Sequence, residues 1–286
     1  MMRRRDLLAG FLATGVSGVL GMRPAYARTG PLRIGITPVF LDNQTGFIDR
    51  WRGYLEHRLG RSIAFQQRST YRQIIDLLLG GELDFAWICG YPYLRFRHAL
   101  KLVSVPLYQG EPLYQSYLIV SNEDRSTGSI SDLKGRIFAY SDPDSNSGFL
   151  VPQSQIEALG ENRETFFRKS FFTWAHEKVI SAVAAGLADG GAVDGYIWDT
   201  LAKRDPTLTG RTRIIGRSRK FGFPPIVASR TTGDDDTLAL QRVLIDMGAD
   251  PEGLTLLGEL NLDGFSRQDN ALFDGIGELI DALSMG

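Results

Sequence analysis

The chain has 286 residues, 43% of them hydrophobic and 23% charged, with 32 Lys and Arg against 33 Asp and Glu and a single cysteine. That composition excludes a disordered, collagen-like or disulfide-stapled protein, and the length allows one large or two medium domains. A formal charge of -1 supplies no basic face for a nucleic acid, and one thiol makes neither an internal disulfide nor a multi-thiolate zinc site.

Residues 1–27 read as an export signal. Arg3, Arg4 and Arg5 form a positive front, Leu7 to Leu20 a small and apolar run, and Ala25-Tyr26-Ala27 a small-x-small cleavage pattern. Arg4-Arg5-Asp6-Leu7-Leu8 also resembles a twin-arginine signal. An uncleaved membrane anchor is the competing reading, but the run falls short of the roughly 20 apolar residues that span a bilayer. No cysteine follows it to carry a lipid. Cleavage removes Arg3, Arg4, Arg5, Arg23 and Asp6, a net +3, so the mature chain carries -1 minus 3, or -4.

Along the mature chain, Leu32 to Ile36 is expected as a buried strand and Phe47 to Leu59 as a helix stopped by Gly60. A strand Ser62 to Gln66, a helix Tyr71 to Leu79 and a strand Asp84 to Ile88 follow. The alternation resumes with strand Arg136 to Tyr140, helix Gly148 to Leu159, strand Phe171 to Trp174 and helix His176 to Leu187. Val193 to Trp198 and Thr212 to Ile215 read as strands; Thr237 to Met247, Pro251 to Leu260 and Asn270 to Leu283 read as helices. Strands alternating with helices imply an α/β fold with mostly parallel strands. Two such units and a short tail suggest two lobes, 31–118 plus 224–286 and 119–223. The chain would cross between them at Tyr117 to Ser121 and again at Pro225 to Ser229. Such a hinge lets two lobes close on a ligand.

The most informative segment is Asp142-Pro143-Asp144-Ser145-Asn146-Ser147-Gly148-Phe149-Leu150-Val151-Pro152, between an expected strand and helix. It sets Ser145, Asn146 and Ser147 at a helix N-terminus. There, orphan N–H groups and about +0.5 of an elementary charge favour an anion. Ordinary N-capping is the alternative, although one cap residue would suffice for that.

This segment resembles the signature of the periplasmic phosphonate/phosphate/phosphite-binding proteins of ABC importers, Asp-Pro-x-Ser-Thr-Ser-Gly-Phe-Leu-Val-Pro, with Asn146 in place of the family's Thr. Leu32 to Ile36, Asp84-Phe85-Ala86-Trp87 and Ala175-His176-Glu177 extend the resemblance to about Ser229. It implies a two-lobed Venus-flytrap fold of the second periplasmic-binding topology, a periplasmic location and a permease partner. It also implies that Ser145, Asn146 and Ser147 hold the oxyanion, that Tyr71 donates from the first lobe and that His176 reaches the ligand from the second. On its residues alone His176 would instead be a capping or core histidine. Relatives that bind aminoalkylphosphonates hold the ammonium with acids near the second-lobe strand and the return crossing. Here the return crossing reads Gly222-Phe223-Pro224-Pro225 and only Asp199 stays nearby, so a small oxyanion, or one whose tail stacks on Trp198, fits better.

Cys89, Tyr91 and Tyr93 follow a strand, on the side where open α/β sheets bind ligands. Cys89 is either inert filler or, if exposed beside a helix N-terminus, a reactive thiol. Arsenite-binding sensor proteins, a related branch, use a cleft cysteine, so a ligand-binding partner of a histidine kinase is the second functional reading. Catalysis has little support: G-x-S-x-G, H-E-x-x-H and P-loop motifs are absent, and His57, His98 and His176 lie far apart. A Cys89/His176 nucleophilic pair has no motif behind it. The expectation is a monomeric capture protein with no metal or cofactor.

Overall fold

The computed structural model describes residues 30–37 and 45–285; the expected export signal at 1–27 lies outside them. The chain begins with β1 (Leu32–Ile36), α1 (Thr45–Leu59), β2 (Ile63–Gln67), α2 (Tyr71–Leu79), β3 (Phe85–Trp87), α3 (Gly90–Phe96), β4 (Leu100–Leu107) and β5 (Leu113–Tyr114). Next come β6 (Ser116–Ser121), β7 (Ile137–Tyr140) and a π-helical turn Asn146–Leu150 that runs into α4 (Val151–Ala158). They are followed by β8 (Lys169–Phe172), α5 (His176–Ala184), β9 (Gly190–Asp194), α6 (Gly195–Arg204), α7 (Pro206–Thr209) and β10 (Thr212–Arg217). The last elements are β11 (Phe221–Gly222), β12 (Ile226–Ser229), α8 (Asp234–Asp246), α9 (Pro251–Leu260), β13 (Gly264–Ser266) and α10 (Asp274–Met285).

Two sheets carry the architecture. The first has the order β13-β4-β12-β3-β1-β2 and the second β10-β6-β9-β7-β8. In the first, β1 pairs in parallel with both β2 and β3, as apolar strands joined by helical crossovers must. Leu32, Ile34 and Ile36 are buried in one cluster with Trp51, Tyr54 and Leu55 of α1. In the second, alternation along β6 and β7 divides the core between two faces. Leu118, Val120, Phe138 and Tyr140 pack on one, Tyr117, Ile119 and Ala139 on the other. No helix of the described residues is long and apolar enough to cross a membrane.

Three expectations need correction. The strand expected at Val193 to Trp198 is β9, which ends at Asp194, and Gly195 to Trp198 open a helix. The glycines ahead of Val193 belong to the strand because the sheet leaves no room there: a Cβ on Gly191 would meet Val179 Cγ1 at 2.5 Å. The Asp194 side chain then accepts the Tyr196 N–H and caps α6. The crossings also differ. The strand expected from Tyr117 begins at Ser116, within the second sheet, and β12 lies wholly in the first. β5 and β11, which fall between the strands of the two sheets along the chain, pair antiparallel in a small sheet of their own. Finally, α3 and β4 occupy a stretch in which no element was expected.

Candidate functional site

The strand–turn–helix context places the donor triplet as its sequence suggests. Beyond β7, Ser145 caps the π-helical turn: its hydroxyl accepts the Gly148 N–H at 3.0 Å. Ser145, Asn146 and Ser147 are fully buried. Glycine follows because a Cβ at position 148 would fall 1.8 Å from Ser141 Oγ. The opening N–H groups of such a turn have no carbonyl beneath them, so the cluster presents oriented dipoles as well as side chains.

The first lobe meets this cluster directly. The Asn146 N–H donates to Cys89 Sγ at 3.3 Å, and Asn146 Nδ2 donates to the Tyr114 hydroxyl at 3.0 Å. Asn146 Oδ1 is buried with no hydrogen-bond partner among the described residues. Tyr71 stands at the start of α2. Its N–H donates to Asp142 Oδ2 at 3.1 Å, and its hydroxyl lies 3.2 Å from His176 Nε2. The histidine tautomer follows from its other nitrogen: Nδ1 accepts the Asp194 N–H at 3.1 Å, so the ring proton sits on Nε2. Tyr71 therefore accepts from His176, and its own hydrogen is left to donate. At the rim, Asp144 accepts from Arg72 at 2.9 Å and from Arg95 at 3.2 Å.

Burial dominates the electrostatics. It pushes the Cys89 thiol up to about 11 despite the Asn146 N–H, lowers His176 to about 3 and raises Asp194 to about 8. Asp142 and Asp144 are raised for the same reason. At neutral pH the Cys89 thiol, the His176 ring and the Asp194 carboxyl are uncharged, and they stand beside the hydroxyls of Tyr71, Ser145 and Ser147 and the Asn146 amide, with the Asp142 carboxyl on the Tyr71 N–H.

Six of the expected residues come together here: Tyr71, Cys89, Ser145, Asn146, Ser147 and His176. Three do not. The Tyr93 hydroxyl is taken by Asn270, and its ring meets Phe273 edge-on at 5.1 Å, because α3 turns it toward the C-terminal segment. Trp198 and Asp199 sit on α6 rather than on a strand. The indole of Trp198 packs against Tyr117 and donates to Thr212, while Asp199 accepts from Tyr108 and Tyr117. Two participants were missed. Tyr114 lies in the stretch left unassigned, and Asp194 was hidden inside the strand drawn through it. Its position directly before Gly195 is the cap signal that could have found it. Among the described residues no group of three or more His, Cys, Asp or Glu could hold a metal ion.

Two lobes closing over a buried, uncharged cluster of donors define a solute-binding protein. The comparisons agree. Residues 34–273 match the model of the periplasmic substrate-binding proteins of ABC phosphonate transporters, and the chain belongs to that family. It is 23% identical over 193 residues to the phosphate-import protein of Mycolicibacterium smegmatis, covering 63% of this chain and 60% of that one. It is 24% identical over 252 residues to the phosphonates-binding periplasmic protein of Escherichia coli, covering 84% of this chain and 73% of that one. The solved structure of PhnD1 from Prochlorococcus marinus in complex with methylphosphonate superposes with a TM-score of 0.78 at 19% identity, covering 90% of this chain and 99% of that one. The two-lobed fold expected from the sequence is thereby shown.

Proposed function

We propose that the chain captures a small, singly protonated phosphorus oxyanion, such as methylphosphonate or phosphite, in the periplasm and delivers it to an ABC permease without converting it. The carrying observation is the buried Ser145–Asn146–Ser147 cluster, which faces Tyr71, Cys89 and Tyr114 of the other half. Ser145 Oγ–H, Ser147 Oγ–H and the Tyr71 hydroxyl are donors for the ligand's oxygens, and bonds to an ionised acceptor are about twice as strong as neutral ones. The unpartnered Asn146 Oδ1 accepts in turn from the ligand's remaining O–H. A thiol held near 11 is no thiolate at neutral pH, which supports capture rather than covalent or arsenite chemistry at Cys89. Export would use the cleaved signal at 1–27. We place the division between lobes at the β5–β11 pair and read the protein as a monomer.

Calorimetry against phosphate, phosphite, methylphosphonate, 2-aminoethylphosphonate and sulfate tests this reading. Methylphosphonate or phosphite should bind best, and sulfate, which carries no proton at neutral pH, should not bind. The aminoalkyl compound should bind more weakly, since Asp199 is engaged elsewhere. Ser147→Ala should cost about 1–3 kcal/mol of binding. Tight sulfate binding, or an unaffected Ser147→Ala variant, would overturn the assignment.

A further inference from the structure

Four buried side-chain atoms have no hydrogen-bond partner among the described residues: Trp51 Nε1, Ser104 Oγ, Ser141 Oγ and Asn146 Oδ1. Two of the four belong to the donor turn and to the strand end beneath it. Asn146 Oδ1 serves the ligand's O–H, whereas Ser141 Oγ has so far been given no part.

Ser141 directly follows β7 and is fully buried. Its backbone is already spent: the N–H donates to the Gly148 carbonyl at 3.3 Å, and the carbonyl accepts the Trp174 N–H at 2.6 Å. The side chain lies against the turn that carries Ser145, Asn146 and Ser147. A Cβ on Gly148 would fall 1.8 Å from Ser141 Oγ and 3.1 Å from His176 Cε1, so the hydroxyl stands where the turn meets the imidazole. Ser145 and Ser141 thus approach the same glycine, one at its N–H and the other at its α-carbon.

No neighbour takes the Ser141 proton. Both imidazole nitrogens are engaged, Nδ1 with the Asp194 N–H and Nε2 with the Tyr71 hydroxyl, and the ring offers this position only its Cε1 carbon. The adjoining loop satisfies its own hydroxyl, since Thr173 Oγ1 bonds to the carbonyls of Tyr140 and Ala175. Burying a hydroxyl without a partner costs free energy that an alanine of nearly the same size would not. Such a group in a native fold calls for a reason, and beside an oxyanion site that reason is the ligand.

We propose that Ser141 is a further specificity-determining contact: its Oγ–H donates to an ionised oxygen of the captured oxyanion, alongside Ser145 and Ser147. The inference rests on the reading of the turn as the oxyanion site. Ser141 Oγ and Asn146 Oδ1 then form a matched pair, one donating to a charged oxygen and the other accepting from an O–H. A singly protonated oxyanion satisfies both; sulfate satisfies Ser141 alone.

Calorimetry of the mature chain with methylphosphonate and phosphite tests it in the wild type, Ser141→Ala and Ser104→Ala, together with urea midpoints of each chain without ligand. Ser104 is the matching control, a fully buried and equally unpartnered serine on β4 of the first sheet. Ser141→Ala should raise the Kd for both ligands by about tenfold to a hundredfold, the loss of one bond to a charged acceptor. Its ligand-free midpoint should be no lower than that of the wild type, because no bond within the protein is lost. Ser104→Ala should leave both Kd values within about twofold. If the wild type binds and Ser141→Ala binds equally well, this assignment fails and the oxyanion site stands. A loss of affinity accompanied by a lowered ligand-free midpoint, or an equal loss in Ser104→Ala, makes Ser141 a packing residue and overturns it too. If the wild type binds neither ligand, the oxyanion reading itself falls and takes this one with it.

Discussion

His176 spends its two nitrogens on opposite halves of the molecule: Nδ1 on the backbone of its own lobe, Nε2 on the tyrosine of the other. Burial holds the ring neutral, with its value lowered from 6.5 to about 3. A depressed base contributes its full stability above the unfolded value of 6.5 and loses it as pH falls toward 3. Asp194 behaves in the opposite sense. Its value is raised from 3.8 to about 8, so its contribution is complete below 3.8 and disappears as pH climbs through 8. Between pH 6.5 and 8 the folded His176 stays neutral and the unfolded one loses its remaining protons, a rise in stability that fades across the interval, while Asp194 makes stability fall with rising pH, by up to about 1.4 kcal/mol per unit, and dominates the slope. Asp194→Asn keeps the cap on α6 and should flatten that slope. Urea midpoints measured across this interval decide it, and an unchanged slope in the variant would contradict the assignment.

At the scale of elements, the two helix starts at the cleft are joined by side chains from across it. Asp142, from the second lobe, accepts the first N–H of α2. Asp144 bridges Arg72 of α2 and Arg95 of α3. Each arginine is partly solvated, so the pairs are worth about 1 kcal/mol at most apiece. Asp144→Asn, which removes both pairs, should therefore raise the Kd for methylphosphonate by up to about thirtyfold, with the change in the dissociation rate, as stopped-flow would show. An unchanged off-rate would mean that the bridge contributes nothing to closure. Much of this arrangement was legible in the sequence. The eleven residues from Asp142 to Pro152 contain the cap, the donors and the obligatory glycine in one run, so the local pattern carries the site. Tyr114 was not legible, because a two-residue strand makes no periodicity. The end of β9 was obscured because Val193 to Trp198 is mostly apolar and resembles a strand until the Asp-Gly pair is read as a cap. Cys89 could be placed at the cleft, but its protonation depends on burial by residues from the other half, which no local pattern reports.

For the whole molecule, the closed arrangement leaves Ser145, Asn146 and Ser147 with at most 1% exposure, so a solute reaches them only when the lobes part. The lobes are stitched at more than the rim. Tyr196 of α6 donates to the Leu260 carbonyl of α9, and Asn261 donates to Thr200. Ligand that bonds both halves shifts the population toward this form. Small-angle scattering should show a smaller radius of gyration with saturating methylphosphonate than without it; identical profiles would leave closure with no role in capture. The connectivity has a further consequence for how the polypeptide reaches this state. The second sheet, β6 to β10, is drawn from the uninterrupted stretch 116–217, whereas the first places β12 between β3 and β4. The inner lobe's strands are therefore all available as soon as residue 217 has been synthesised. The outer sheet waits for a strand synthesised more than a hundred residues after its neighbour. Assembly is thus ordered by topology, and the long-range loop that must close last makes the outer lobe the slower of the two to form.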